Sequence, residues 1–225
     1  MKFIKYLIFF LILQGCSSNY EWGWYILSPN NIEGLTNLKF LISGITTTIY
    51  ISVVSIILAM IIGLIVALPS LSNSKLLTYF NIGYVEIVRA IPLLVLILWI
   101  YYGLPIMLGI SFSPFVSGII ALTISESAFQ AEIFRAGINS INKGQHEVAG
   151  SLGMNFWKKM RFVILPQAIK VVLPALCNQF VYVLKMSSLV SIIGIGDLTR
   201  KANELVTTTY PVSYTHLTLP TICSV

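Results

Sequence analysis

Two uncharged stretches restrict the fold before anything else does. Phe40–Leu68 runs 29 residues without a charged side chain, and Ala90–Ser125 is also free of charge. A helix that crosses the ~30 Å hydrocarbon core of a bilayer needs about 20 apolar residues. The first stretch therefore supports one tilted span, ending at Pro69 and the polar run Ser70–Lys75. The second is too long for one helix, and Gly103, Pro105, Gly109, Ser111 and Pro114 interrupt it. It predicts a helix over about 84–108 and another over about 113–138. A fourth span is expected near 162–184. Ser187–Gly196 is apolar but holds Gly194 and Gly196, which predicts a re-entrant or loop-like segment rather than a full span. Composition agrees, with 10% charged residues against about 25% in soluble domains. The fold class is all-α, a polytopic membrane protein.

The net charge of +6 raises nucleic acid as a partner. The basic residues form no single stripe, however, and the apolar runs are too long for a soluble face. Lys and Arg are better read as topology signals facing lipid headgroups and water. Cys16, Cys177 and Cys223 lie far apart without a CxxC pair, which argues against a disulfide framework or a metal site. No HExxH, GxSxG, P-loop or acidic metal motif is present, so the chain is not expected to be an enzyme. No selectivity-filter repeat suggests a channel.

Residues 1–16 have the form of a signal segment, with Lys2 and Lys5 ahead of the apolar Tyr6–Leu13. Leu13-Gln14-Gly15-Cys16 resembles a lipobox, in which Cys16 would receive lipid. An uncleaved signal anchor with an incidental cysteine fits the same residues. Either reading sends residue 17 onward out of the cytoplasm, with 17–38 as an external segment bearing Trp22, Trp24 and Tyr25. The connection around 135–161 holds Arg135, Lys143, Lys158, Lys159 and Arg161, so it should be cytoplasmic. Counting back three spans again places residue 39 outside.

That connection, about 141–166, holds more than a loop requires. His146–Leu152 is predicted as a short helix, with Val148 and Leu152 on one face and the small Ala149 and Gly153 four apart. Gly153 suits a left-handed cap, and Asn155 suits the start of a second short helix, Phe156–Met160. Small residues would allow another backbone to approach closely, as in a plug for a partner's groove. A solvated loop with a chance helix is the plainer alternative.

The spacing carries a resemblance. Glu147-Val148-Ala149, three residues, Gly153, nine residues, then Val163-Ile164-Leu165-Pro166 is similar to the EAA loop of ABC-importer permeases, E-A-A, three residues, G, nine residues, I-x-L-P. Val148 and Val163 are mild departures. Tyr84–Leu94 (YVEIVRAIPLL), Ala131–Gly137 (AEIFRAG), Lys143-Gly144-Gln145, Leu165–Ile169 (LPQAI), Asn178-Gln179-Phe180 and Leu184–Gly194 resemble the polar amino acid uptake permeases. The resemblance covers about 39–209. It implies the type I importer permease fold of about five core helices, and ATPase coupling through Glu147, Val148, Ala149, Gly153, Leu165 and Pro166. It also implies an identical or paralogous second permease half, an external solute-binding protein, and two ATPase subunits that bind the ATP and Mg. The implied location is the bacterial inner membrane and the implied cargo a polar or charged amino acid.

Charges inside spans are costly and are functional candidates by default. Glu126 sits mid-span in the third helix, and two readings stay open. It faces the substrate pathway and attracts a cationic group, or it pairs with Lys170 or Lys185 or holds a helix contact by hydrogen bonding. Glu86/Arg89, an intrahelical or intersubunit pair, and Glu132/Arg135 are three apart and are read as structural. Lys185-Met186 stands where the resembled family usually shows Lys-Asp. That family would continue beyond Thr209 into a fifth span. Pro211–Val225 is short, Thr-rich and broken by Pro220, so 210–225 is read as an atypical, truncated or foreign tail, with a genuine shorter variant as the alternative.

Overall fold

The computed structural model describes residues 26–68 and 75–209. The signal segment with Cys16 and the tail with Cys223 lie outside the described residues. The described residues contain helices and no strand. In order these are α1 (Ile32–Ala67), α2 (Lys75–Ala90), α3 (Leu93–Leu108), α4 (Pro114–Asn139), α5 (Lys143–Ser151), α6 (Phe156–Ile193) and α7 (Leu198–Thr209). The chain divides into two compact units, Ile42–Lys201 and the two flanks Met1–Leu41 with Ala202–Val225. Within the flanking unit, Asn37 Nδ2 donates to the Ile26 carbonyl at 3.1 Å. The core and the polar cluster belong to Ile42–Lys201.

α1 has 36 residues, about 54 Å at 1.5 Å per residue, more than a bilayer core requires. Its exposed Ile42, Ile45, Ile49, Ile57, Ile61 and Ile65 suit lipid rather than water. α1 and α6 are each long and apolar enough to cross a membrane. α4 matches its predicted bounds to within a residue but falls short of that apolarity. Its polar Ser117, Ser125, Glu126, Ser127 and Gln130 are all buried within the chain, so α4 is wrapped by protein where its neighbours meet lipid.

The predicted single helix over 84–108 is two helices. α2 begins at Lys75, and between it and α3 the path turns by 91°. The cause is Ile91-Pro92. Proline supplies no amide, and it biases the residue before it away from helical geometry. Pro92, at ψ 132°, then opens α3. Two other prolines are absorbed differently. Pro105 and Pro166 each follow a π turn, Trp99–Gly103 and Met160–Ile164, and sit in the first turn of the α-helix that resumes. There the missing N–H costs little.

Phe156–Met160 is consequently not a separate short helix, since it continues through the π turn into α6. Ser187–Ile193 is not a loop either. It prolongs α6 as 3-10 turns and stops at Gly194, whose φ of +93° suits glycine. Its Val190 packs with Ile51 of α1, Ile97 of α3 and Leu122 of α4 in the main core. α1 crosses α4 closely at Gly63. A Cβ there would lie 2.9 Å from the Ser127 carbonyl oxygen and 3.0 Å from the Ala131 amide.

Candidate functional site

Two regions bear on function. The first is the surface made by α5 and the start of α6. Asn142 begins α5, its Oδ1 accepting the Gly144 amide at 2.8 Å, so the helix starts at Lys143 rather than at His146. It ends in a Schellman motif. The Met154 amide bonds the Ala149 carbonyl at 3.1 Å and the Gly153 amide bonds that of Gly150 at 2.9 Å. Gly153 has φ +69°, the left-handed cap that the sequence requires of it. Asn155 Oδ1 accepts the Lys158 amide at 2.9 Å and starts α6.

The six residues implied in coupling divide. Glu147, Val148, Leu165 and Pro166 are exposed, Val148 at 60%. Ala149 is buried, so it packs inside the chain instead of meeting a partner's backbone. Gly153 has no atom within 4 Å of where its Cβ would stand, so its smallness serves backbone geometry and not a close contact within the chain. Leu152, Phe156 and Trp157 are exposed beside Val148, and the Phe156 and Trp157 rings meet edge-on at 5.8 Å. Gln167 Nε2 donates to Gln145 Oε1 at 3.4 Å and to the Val163 carbonyl at 3.0 Å, tying α5 to α6. Both glutamines lie in the stretches KGQ and LPQAI, but spacing alone gives them no role.

The second region is polar and buried between α1, α4 and α6. Glu126 is fully buried, and its Oε2 accepts from Gln179 Nε2 of α6 at 2.6 Å. Its partner is thus neither Lys170 nor Lys185. Glu126 Oε1, both polar side-chain atoms of Gln130, and the hydroxyls of Ser52 and Ser55 are buried without a hydrogen-bond partner among the described residues. Directly after Glu126 in α4, Ser127 Oγ donates to the Ile124 carbonyl at 2.7 Å and meets the Tyr84 hydroxyl of α2 at 2.6 Å. Glu132 and Arg135 form the expected pair, at 2.5 and 3.1 Å. Glu86 and Arg89 form no intrahelical ion pair among the described residues. Arg89 instead lies 4.9 Å from the centre of the Phe129 ring, a cation–π contact with α4. Asp197 is buried and caps α7, accepting the Thr199 and Arg200 amides at 3.2 and 3.1 Å. It went unread in the sequence because nothing near it forms a motif.

A helical bundle with two apolar spans and an exposed helical elbow matches known proteins. Residues 59–222 match the family model described as binding-protein-dependent transport system inner membrane component. The chain belongs to that family. This permease is 35% identical over 176 residues to the arginine transport system permease protein ArtQ of Bacillus subtilis (strain 168), covering 78% of this chain and 80% of that one. It is 39% identical over 176 residues to the probable glutamine ABC transporter permease protein GlnM of the same organism, covering 78% and 81%. The crystal structure of an amino acid ABC transporter with histidines superposes with a TM-score of 0.73 at 42% identity, over 78% of the permease and 82% of that chain. The inward-facing methionine transporter MetNI gives a TM-score of 0.66 at 23% identity, over 82% and 89%, a likeness of fold. The permease is an integral membrane protein, and its family consists of transport subunits rather than enzymes.

Proposed function

We propose that this permease is one half of the membrane pathway of an ABC importer for polar or charged amino acids in the bacterial inner membrane. A second half, identical or paralogous, completes the path. ATPase subunits in the cytoplasm bind ATP and Mg, and an external binding protein delivers the cargo. Closure of the ATPase subunits pulls α5, and the spans above it rock between inward-open and outward-open states. The observation that carries this reading is the exposed surface of Glu147, Val148, Leu152, Phe156 and Trp157, held by the Gly153 cap and by the Gln145–Gln167 bond. Solvent alone gives no reason to present four large apolar side chains together on a helical elbow. The names of the relatives, arginine and glutamine transport permeases, support the cargo class.

Glu126 is placed in this reading as a contact between α4 and α6. A side chain facing a path between two halves would be exposed in a single chain, and Glu126 is fully buried. The test is uptake of labelled amino acids into proteoliposomes holding the permease with its ATPase and binding protein. ATP-dependent uptake that fails for every amino acid, while another small solute enters, would move the cargo class and leave the permease role.

A further inference from the structure

We propose that the permease holds one anionic phospholipid, with an acyl chain seated in a groove between α1, α4 and α6 and the phosphate on Arg161. The inference needs only a membrane-spanning chain and stands whichever solute is carried. The groove encloses about 250 Å³ and is lined by nine side chains, all apolar. Leu64 of α1 and Phe134 of α4 line it together with Leu165, Ile169 and Leu173 of α6. Its floor lies where α4 and α6 come closest. A Cβ on Gly137 would collide with Val172 Cγ2 and stand 3.8 Å from the Ala168 carbonyl oxygen. Ala168 and Val172 are buried there, while Leu64, Ile169 and Leu173 stay exposed above them. At 3.6 residues per turn, Leu165, Ile169, Leu173 and Leu176 fall within about 80° of arc. Asn178 and Lys185, which suit water, fall on the far side of α6, so the groove opens on its apolar side. An amino acid here would leave both charged ends without partners. A hydrocarbon chain needs none, and it restores the dispersion contacts that an empty gap forfeits.

The charge at one end of the groove selects the lipid. Arg161 stands four residues before Leu165, roughly one turn, in the π turn from which α6 continues. It is exposed and forms no ion pair among the described residues. Its guanidinium lies 5.7 Å from the centre of the Phe162 ring. Lys158, also exposed, adds a second cation nearby in the chain. No acidic residue occurs between Glu147 and Asp197, and on α4 the acid beside Phe134 in sequence, Glu132, is held by Arg135. Leu165 and Leu176 are about 16 Å apart along the axis, close to half of the ~30 Å hydrocarbon core. The groove therefore has the reach of one leaflet, with Arg161 at its headgroup end. The basic connection makes that end cytoplasmic, where basic residues beside spans attract anionic headgroups. A guanidinium pairs with a phosphate through two parallel hydrogen bonds. A basic residue at a span end is by itself a topology signal, and the apolar groove continuing from it makes this one a site.

The full-length permease, purified with its ATPase in detergent, is titrated with dioleoyl phosphatidylglycerol or dioleoyl phosphatidylcholine, and bound lipid is counted by native mass spectrometry. The two lipids share their chains and differ in net charge. We expect one phosphatidylglycerol per permease, held about fivefold more tightly than phosphatidylcholine, whose choline cancels the phosphate charge. R161Q should bring the two lipids level, and R161K should keep part of the preference. I169W and L173W, which set a ring across the exposed mouth, should weaken both lipids by a similar factor. Glycerophosphoglycerol, the headgroup without chains, should not compete. Equal retention of the two lipids by the unaltered permease overturns the proposal, as does a preference that survives R161Q. Lipid binding that I169W and L173W both leave intact places the chain elsewhere and overturns it too. Absence of bound lipid has the same force, and disulfide linkage of L173C to a second permease copy would then name a protein as the occupant. R161Q changes an exposed side chain, so its result stands even where a tryptophan variant fails to fold.

Discussion

Replacing Gly153 with alanine separates two reasons for a glycine in the coupling segment. The space around a Cβ at 153 is open, with nothing within 4 Å, so alanine meets no steric barrier in this chain. The backbone there has φ +69°, which costs a residue with a Cβ about 1–2 kcal/mol. That is roughly a 5–30-fold shift in the population of the capped elbow. The two capping bonds, Met154 to Ala149 and Gly153 to Gly150, are lost in the shifted fraction, and the angle between α5 and α6 loosens. Uptake per ATP hydrolysed, measured in proteoliposomes, should fall several-fold while the helical content of the purified permease stays unchanged. Asparagine tolerates the left-handed region better, so Gly153→Asn should recover most of the coupling. Gly150→Ala, at an interior helical position with open space, should be neutral. Wild-type coupling in Gly153→Ala would refute the reasoning. Equal damage from Gly153→Asn and Gly150→Ala would instead assign the effect to crowding against the ATPase.

Three further outcomes are expected. Glu126→Gln should keep the thermal stability of the detergent-solubilised permease to within about 1 kcal/mol and preserve transport, while Glu126→Ala, which leaves the Gln179 amide unpaired, should cost about 1–3 kcal/mol. Selective loss of basic amino acid uptake in Glu126→Gln would return Glu126 to the pathway. Gly63→Val, forced against the backbone of Ser127 and Ala131, should cost about 1–3 kcal/mol and lower the melting temperature, and an unchanged melt would contradict the close crossing of α1 and α4. Asp197→Ala should lose about 1 kcal/mol with its two capping bonds and Asp197→Asn much less, as read by hydrogen exchange at the Thr199 and Arg200 amides.

The parts of this permease that the sequence made legible are those governed by local chemistry. Uncharged runs located α1, and the break at Pro114 located α4. Gly153 was recognisable because a left-handed cap needs glycine, and Asn155 because an unpaired first-turn amide needs an acceptor. The Glu132–Arg135 pair followed from helical spacing. The 91° turn at Pro92 was less accessible, since a proline in an apolar run ends, kinks or merely starts a helix according to its surroundings. Pro105 and Pro166 show another outcome, being absorbed by π turns.

Contacts between distant helices lay outside the reach of pattern. Glu126 and Gln179 are 53 residues apart, and the nearest chemical guess, a lysine, was wrong because both lysines point away from the bundle. Arg89 prefers a ring on α4 to an acid three residues away on its own helix. Ala149 reads as an outward-facing small residue until packing places it inside. The sequence by itself determined that this is a helical membrane protein with a small-residue elbow between two spans, because hydropathy, charge and backbone freedom are properties of single residues and their spacing. The tertiary structure alone decided which face of each helix is covered, and with it which polar groups hold helices together and which remain to meet a substrate, because burial depends on residues that no local pattern connects.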